Sequence, residues 1–594
     1  MGLRDTFAAL RGTGGPGRTG ALAQAREATA AKDWPAAAQA WAEVVATAGP
    51  TAPDAEPWRE LARARRLDRD LTAARQTIEE GRRRFPEDLG LSVELARLAL
   101  RGYAASAEDE RHIWKAMLLE AQAALREALE RGEVTKPALH AAAEIELVLR
   151  RWQDARGLWA ELERRYPDRA DEAIVKQATA SRAAGALAEA RATLGRASAA
   201  ARARKDAQQL ARTITADEGV AEANAAFAAA SSRWHAGDVG VLRIEVPEAI
   251  RLRGHSEDRA NRLLPLLDDL AEFVAVAAAG REEAGPARCA DTHAVGDARD
   301  TVLISGFLYS GSGAVFDLLR QYEEFHLPFA DRETGFLKKP GHLATILDGP
   351  VGPDGPRIPD PGTVTDAVLA STIGFGQTGR PLLGWVGRDE PALDRFVLQL
   401  RWLVAELRRT WAQVGQDAEV SIPRAADAIG RFIDAFVADR TPVDRRALLN
   451  NAIVGHNLRH LRLASRSVAV AVLRDPRDQY VSQRLESPFA MEADDFIATM
   501  AERYRAYAAL RADAELEDRL VTVAFEPFVT DPDERAALLD RLHVAAEAHA
   551  SGRAFDPERS RRNIGIHAAY ADQEEIARVA DGLLEPYVAL VHRA

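Results

Sequence analysis

Asp300–Arg320 reads DTVLISGFLYSGSGAVFDLLR. Thr301 to Ser305 is short, apolar and β-branched, the pattern of a buried strand. Gly306, Gly311 and Gly313 follow, interleaved with Ser310 and Ser312. From Ala314 to Arg320 the apolar spacing turns helical. A strand, a glycine-rich turn and a helix in that order form a phosphate cradle. Glycine lets the backbone approach an anion, and the first N–H groups of the helix meet it with the positive end of the dipole. Gly306 and Gly311 have the spacing of the loop G-x-x-x-x-G-K-[ST]. Ser312 stands where that loop has lysine, and Gly313 follows, so hydrolysis of ATP or GTP is not expected. For this stretch alone, a tight βα turn without a ligand is the competing reading.

A second stretch shifts the balance. Ser467–Leu473 (SVAVAVL) reads as another buried strand, running into Arg474-Asp475-Pro476-Arg477-Asp478-Gln479-Tyr480-Val481-Ser482. Together the two stretches resemble the sulfotransferase family, whose members take a sulfuryl group from 3′-phosphoadenosine 5′-phosphosulfate (PAPS). Tyr309-Ser310-Gly311-Ser312-Gly313 matches the family's 5′-phosphosulfate loop. Arg474 and Ser482 match its 3′-phosphate motif, an arginine after a strand and a serine eight positions on. The resemblance runs from Asp300 to the C-terminus with one long interruption.

That resemblance implies a set of roles. The backbone of Ser310, Gly311, Ser312, Gly313 and Ala314 would hold the phosphosulfate. Arg474 and Ser482 would grip the 3′-phosphate. Ser560-Arg561-Arg562-Asn563-Ile564-Gly565 matches a late basic segment, with Arg562 closing over the nucleotide. Glu526, after the strand-like run Leu520–Phe525, matches a late aromatic-glutamate turn. Two residues compete for general base: Glu333, placed as in relatives acting on glycans, and His456, placed as in relatives acting on small alcohols and phenols. His460, one turn after His456, reads as structural. Tyr309 departs from the pattern, because relatives carry lysine or arginine there. Tyrosine donates a hydrogen bond but is uncharged at neutral pH. Lys338 and Lys339 are the nearest lysines in sequence. The alternative is therefore a sulfotransferase-like nucleotide-binding domain that is weak or inactive. A kinase lacks both the loop lysine and a visible magnesium ligand, and no metal site is expected.

The totals agree with a multidomain soluble protein. The chain has 594 residues, 47% hydrophobic and 28% charged, with a net charge of −12. That balance argues against a general nucleic-acid binder. The single cysteine, Cys289, excludes intrachain disulfides. No run is long and apolar enough to suggest a transmembrane span, and no signal-peptide core is visible, so a cytoplasmic location is expected.

The expected fold is an N-terminal α-helical repeat domain followed by an α/β domain with a parallel sheet and a P-loop-like turn. Residues 1–20 read as a flexible leader and 21–232 as helical hairpins. Asp33-Trp34 to Trp41 is echoed by Arg151-Trp152 to Trp159, and Phe85-Pro86 by Tyr166-Pro167. These resemble tetratricopeptide-like repeats, implying a protein partner. Residues 233–299 read as a transition, with Val241–Val246 (VLRIEV) a strand and Glu257–Ala278 a helix. The sulfotransferase-like domain spans 300–594. Gly349–Gly362 reads as a loop or lid that is neither helix nor sheet. It opens an insertion at about 349–442 with helices at Pro391–Val414 and Arg424–Ala438. The expected acceptor is a hydroxyl or amine on a glycan or other large molecule.

Overall fold

The computed structural model describes residues 18–48, 54–106, 111–279, 298–330, 332–333, 343–348, 351–352, 355–356, 359–375, 381–386, 390–413, 418–453, 455–487, 490–545, 554–570 and 572–592. The chain divides into two compact units, Met1–Thr215 with Leu485–Phe489, and Ala216–Arg484 with Ala490–Ala594. No helix among the described residues is long and apolar enough to cross a membrane.

The first unit is helical. Its elements are α1 (Arg18–Ala31), α2 (Trp34–Ala48), α3 (Glu56–Leu67), α4 (Leu71–Arg84), α5 (Leu89–Ala105), α6 (Arg111–Glu130), α7 (Lys136–Val148), α8 (Trp152–Arg165), α9 (Ala170–Ala183), α10 (Leu187–Gly195) and α11 (Ala199–Arg202). They pack in successive pairs, α1 with α2 through α9 with α10. The paired aromatics noted in the sequence occupy matching places. Trp41 and Trp159 are fully buried on second helices, and Phe85 and Tyr166 cap the ends of α4 and α8 with nearly the same backbone angles. The next hairpin then begins at an N-cap such as Asp88, whose carboxylate accepts the Leu91 N–H at 2.8 Å.

The second unit opens inside α12 (Lys205–His235), which crosses the division, and continues through α13 (Val241–Leu252), α14 (Glu257–Arg262) and α15 (Leu264–Ala279). The helical hairpins are expected to run to 232 and the α/β domain to begin at 300 after a transition; the division between the units falls at Thr215, inside α12. That helix runs on unbroken through Gly219. Val241–Val246 is helix, not strand. In a strand Leu242, Ile244 and Val246 would share one face. Here Leu242 and Val246 are buried while Ile244 is 74% exposed.

The sheet comprises β1 (Thr301–Gly306), β2 (Phe325–His326), β5 (Arg446–Asn450), β6 (Ser467–Leu473) and β7 (Leu520–Ala524), in the order β2-β5-β1-β6-β7, with every pairing parallel. The strands are apolar on both faces because helices cover a parallel sheet on both sides. Val302, Ile304, Val470, Val472, Val521 and Val523 share one core with Val315, Phe316 and Leu319 of α16 (Ser312–Leu319). A small hairpin, β3 (Val351–Gly352) with β4 (Gly355–Pro356), and the start of α17 (Pro361–Ile373) occupy the stretch expected to be neither helix nor sheet. Pro361 begins α17 because proline at a first helical position forfeits no hydrogen bond, and Asp360 caps it.

The insertion adds α18 (Glu390–Gln413) and α19 (Ala418–Ala438). α18 packs against α14 and α15, with Arg401 paired to Asp269 at 2.6 Å and Arg408 to Glu272 at 3.0 Å, and α19 packs along α18. The chain closes with α20 (Pro476–Glu486), α21 (Ala493–Arg511), α22 (Phe525–Thr530), α23 (Pro532–Arg541), α24 (Pro557–Arg561) and α25 (Gln573–Val591). The segment expected to be a basic helix, from His456 to His460, lies in a 3₁₀ stretch, Gly455–Leu463, interrupted at Asn457.

Candidate functional site

The strand order fixes where a ligand crevice lies. The chain leaving β1 goes to β2 at one edge, and the chain leaving β6 goes to β7 at the other. Adjacent strands whose connections diverge leave a crevice beyond their carboxyl ends. Gly306 pairs in register with Val472. The turn after β1 and the residues from Arg474 onward therefore emerge side by side.

The turn after β1 is held in a costly conformation. Leu308 (φ 35°) and Tyr309 (φ 48°) are consecutive non-glycine residues in the left-handed region, followed by Gly311 at φ 81°. Such residues cost of order 1–3 kcal/mol each and persist only where their surroundings over-determine them. Here the Gln479 side-chain amide, fully buried, donates to the carbonyls of both Phe307 and Leu308, the latter at 2.7 Å. Phe307 N–H donates to Ser310 Oγ at 3.1 Å. A Cβ on Gly311 would lie 2.3 Å from the Phe525 ring. Gly313 meets nothing within 4 Å, so the start of α16 is open on that side, where first-turn N–H groups lack intrahelical partners.

Of the expected donor-binding residues, Ser310 is buried and braces the loop from inside. Ser312 Oγ accepts from Asn451 Nδ2 at 3.3 Å. Arg474 is 4% exposed. Its Nη1 donates to Tyr309 O at 3.0 Å and Ser482 Oγ at 3.1 Å, and its Nη2 to Asn563 O at 2.5 Å. The guanidinium lies 5.4 Å from the Phe525 ring centre. One side chain thus ties the glycine-rich turn, α20 and the late basic segment together. Asp478, 1% exposed, completes the knot by accepting from Gly565 N–H at 2.7 Å and His567 N–H at 3.0 Å. Arg562 stands exposed on that same segment.

The aromatic-glutamate turn after β7 buttresses both halves. Phe525 contacts the turn as described, and Glu526 accepts the Asp475 N–H at 2.8 Å and the Tyr587 hydroxyl at 2.9 Å. Burial pushes the Glu526 carboxyl above its ordinary range. Burial also opposes ionisation of Asp475, but two hydrogen bonds from the Arg477 side chain and one from its backbone outweigh it, so that carboxyl is held low.

Asn451 is the functional residue that sequence reasoning missed. It sits just past β5 at φ 46°. Its Oδ1 accepts the Gly306 N–H at 2.9 Å, and its Nδ2 donates to Glu333 Oε1 at 2.9 Å. One amide therefore links the first residue of the glycine-rich turn to an expected general base. An asparagine directly after a strand, where it tolerates the left-handed region, was the available signal. Tyr309 is half-buried, and His460 is buried. The His456 side chain, Lys338 and Lys339 lie outside the described residues. No protein-family model matches this chain, and no curated protein matches it.

Proposed function

We propose that the chain is a PAPS-dependent sulfotransferase. In this reading the second unit holds the nucleotide in a P-loop-like crevice between β1 and β6, and the first unit is a tetratricopeptide-like scaffold. One observation carries the reading: Arg474 donates both to the backbone of the glycine-rich turn and to Ser482, eight residues on. Two stretches that resemble the two phosphate motifs of one family thereby meet at one crevice.

The donor would supply an activated sulfuryl group. R–OH and PAPS would become R–OSO₃⁻, 3′,5′-ADP and a proton, the bond between sulfur and the bridging phosphate oxygen breaking as the new S–O bond forms. The chain's part is to bind, orient and move that proton. The open start of α16 would hold the 5′ group by backbone N–H donors. Arg474, Ser482 and Arg562 would hold the 3′-phosphate, arginine forks being suited to a dianion. Glu333, oriented by Asn451, would accept the acceptor's proton. His456 remains the second candidate. The reaction belongs in the cytoplasm, where PAPS is made, and the acceptor class is a glycan or other large hydroxyl or amine compound.

A second reading rests on Tyr309. A neutral phenol stands where relatives place a cation beside the leaving oxygen, which favours a protein that binds the nucleotide without turning it over. Two measurements test both readings. 3′,5′-ADP should raise the melting temperature, by mass action equivalent to about 2.7 kcal/mol at a hundredfold excess over Kd. Labelled PAPS should pass its label to a member of an acceptor panel. No thermal shift at millimolar nucleotide in folded protein removes the donor assignment. A shift without transfer selects the second reading.

A further inference from the structure

We propose that the first unit binds an anionic glycan, a chain bearing sulfate or carboxylate groups, in a cleft built on Arg66, Arg97 and Arg101. The cleft, of ≈ 570 Å³, lies along α3, α5 and α7, the first helices of three successive hairpins. Lys136, His140 and Arg169 extend it.

The charge pattern is unusual for a purely structural surface. Arg97 and Arg101 are four apart on α5 and so share a face. Both crowd Arg66, whose side chain is only 12% exposed. A single carboxylate, Glu94, answers two of them, at 2.9 Å from Arg66 and 2.7 Å from Arg97. Among the described residues no carboxylate is paired with Arg101. Burial holds the Arg66 guanidinium below its ordinary value; Glu94 opposes this, and Arg97 and Arg101 add to it. The other cations are matched: Lys136 by Asp168, Arg169 by Glu172 at 2.9 Å, with His140 3.2 Å from Glu172. Glu144, which also lines the cleft, is taken by Lys176 at 2.7 Å. The excess positive charge therefore sits at the three arginines, in a chain whose net charge is −12. Like charges held together destabilise the fold, and an anionic ligand relieves that repulsion through charge-assisted forks.

The lining selects the kind of anion. Protein partners are held by aromatic and large aliphatic anchors in desolvated pockets. Among the described residues no Trp, Tyr or Phe lines this cleft. Of its two leucines, Leu162 is fully buried and Leu100 is half-buried on α5. A guanidinium-rich cleft with no Trp, Tyr or Phe anchor suits a hydrophilic polyanion better than a peptide. That this chain is the acceptor or product of the reaction rests on the sulfuryl-transfer reading; its binding does not.

The test uses the full chain and four labelled probes: heparin oligosaccharide, oligogalacturonate, neutral dextran and a polyglutamate peptide. Wild type is expected to bind one of the two anionic glycans at least about tenfold more tightly than dextran or polyglutamate, and the pair shows whether sulfate or carboxylate is read. Arg97→Gln with Arg101→Gln should weaken that binding by roughly tenfold or more. Arg75→Gln with Arg83→Gln, the same charge change on exposed positions of α4, should leave it unchanged. Absence of glycan binding, equal binding by both double variants, or polyglutamate binding as tight as glycan each overturns the proposal. The 3′,5′-ADP thermal shift is read on the same samples. Its loss with glycan binding intact removes the sulfotransferase reading and leaves this one standing.

Discussion

The two strand–turn–helix passages that meet at the crevice are built from the same parts and held in opposite ways. From β1 to α16 the backbone is strained, nearly free of charge, and dependent on glycine. From β6 to α20 the backbone is regular and charged: Arg477 pairs with Asp475, while Arg474 and Asp478 hydrogen-bond to backbone groups of the glycine-rich turn and the late basic segment. The strained turn does not hold itself. Gln479 and Arg474, both from the charged passage, fasten its carbonyls. The second passage is therefore the clamp and the first is the clamped part, which orders the expected effects of breaking each.

Arg474→Ala should do the most damage. It leaves two backbone carbonyls and the Ser482 hydroxyl without their donor in a buried place, at about 1–3 kcal/mol for each such group. Stability and 3′,5′-ADP affinity should fall together. Arg477→Ala removes the side-chain partner of Asp475 but leaves the Arg477 N–H on that carboxylate, and should cost less than Arg474→Ala, about 1–2 kcal/mol. Denaturant titration and calorimetry on the two variants check this, and equal losses would mean that Arg474 is not the clamp.

Gly311→Ala comes next, as the direct test of the clamped passage. A Cβ at φ 81°, 2.3 Å from the Phe525 ring, combines left-handed strain with overpacking, for about 2–4 kcal/mol in total. Gly313→Ala, which meets open space, should keep the stability and lose nucleotide affinity instead. If Gly311→Ala unfolds no earlier than wild type, the turn is looser than this packing implies.

These contrasts also mark what the sequence could reveal. β1, β6 and β7 were legible because each is a short β-branched run bounded by turn residues. That Arg474 and Ser482 stand close together was implied by the family resemblance. Val241–Val246 misled because its apolar residues alternate over six positions. Its helical period appears only when the window extends past Pro247 to the buried Ala249 and Ile250. Gln479 was not legible as a brace of the glycine-rich turn, because it acts far away in sequence; Asn451 offered only its place after a strand, and Phe525 only its place in the aromatic-glutamate turn. The start of the second unit was hidden inside α12 for the same reason: local composition does not change where the packing partner does.

Asn451 allows a smaller and more selective test. Asn451→Asp keeps an acceptor for the Gly306 N–H but sets a negative charge where an amide donated to Glu333. In the variant a second carboxylate faces Glu333 where an amide donated to it, so like-charge repulsion replaces a hydrogen bond. If Glu333 is the base, the acid limb of the pH–rate profile moves to higher pH, while nucleotide affinity changes by less than about tenfold. An unmoved acid limb would transfer the role to His456.

Tyr309 should give the smallest effect, and its sign matters more than its size. Its backbone carbonyl, not its ring, is what Arg474 holds, so side-chain changes leave the clamp in place. Tyr309→Phe removes one neutral hydroxyl and should lower the rate by no more than about tenfold, the worth of an ordinary hydrogen bond. In the sulfotransferase reading, Tyr309→Lys would place a cation beside the leaving oxygen and should hold or raise the rate, since charge developing there is stabilised electrostatically. Transfer assays on wild type and both variants, with 3′,5′-ADP binding measured in parallel, separate three outcomes. Activity in all three proteins, highest with lysine, means that tyrosine is a tolerated substitute. Nucleotide binding in all three without transfer means that the crevice holds its ligand and does no chemistry. An active wild type beside a folded, nucleotide-binding but inactive Tyr309→Lys would mean that the phenol itself, half-buried at a left-handed turn, takes part in the reaction, and the cation expected from the family resemblance would then have no place in this site.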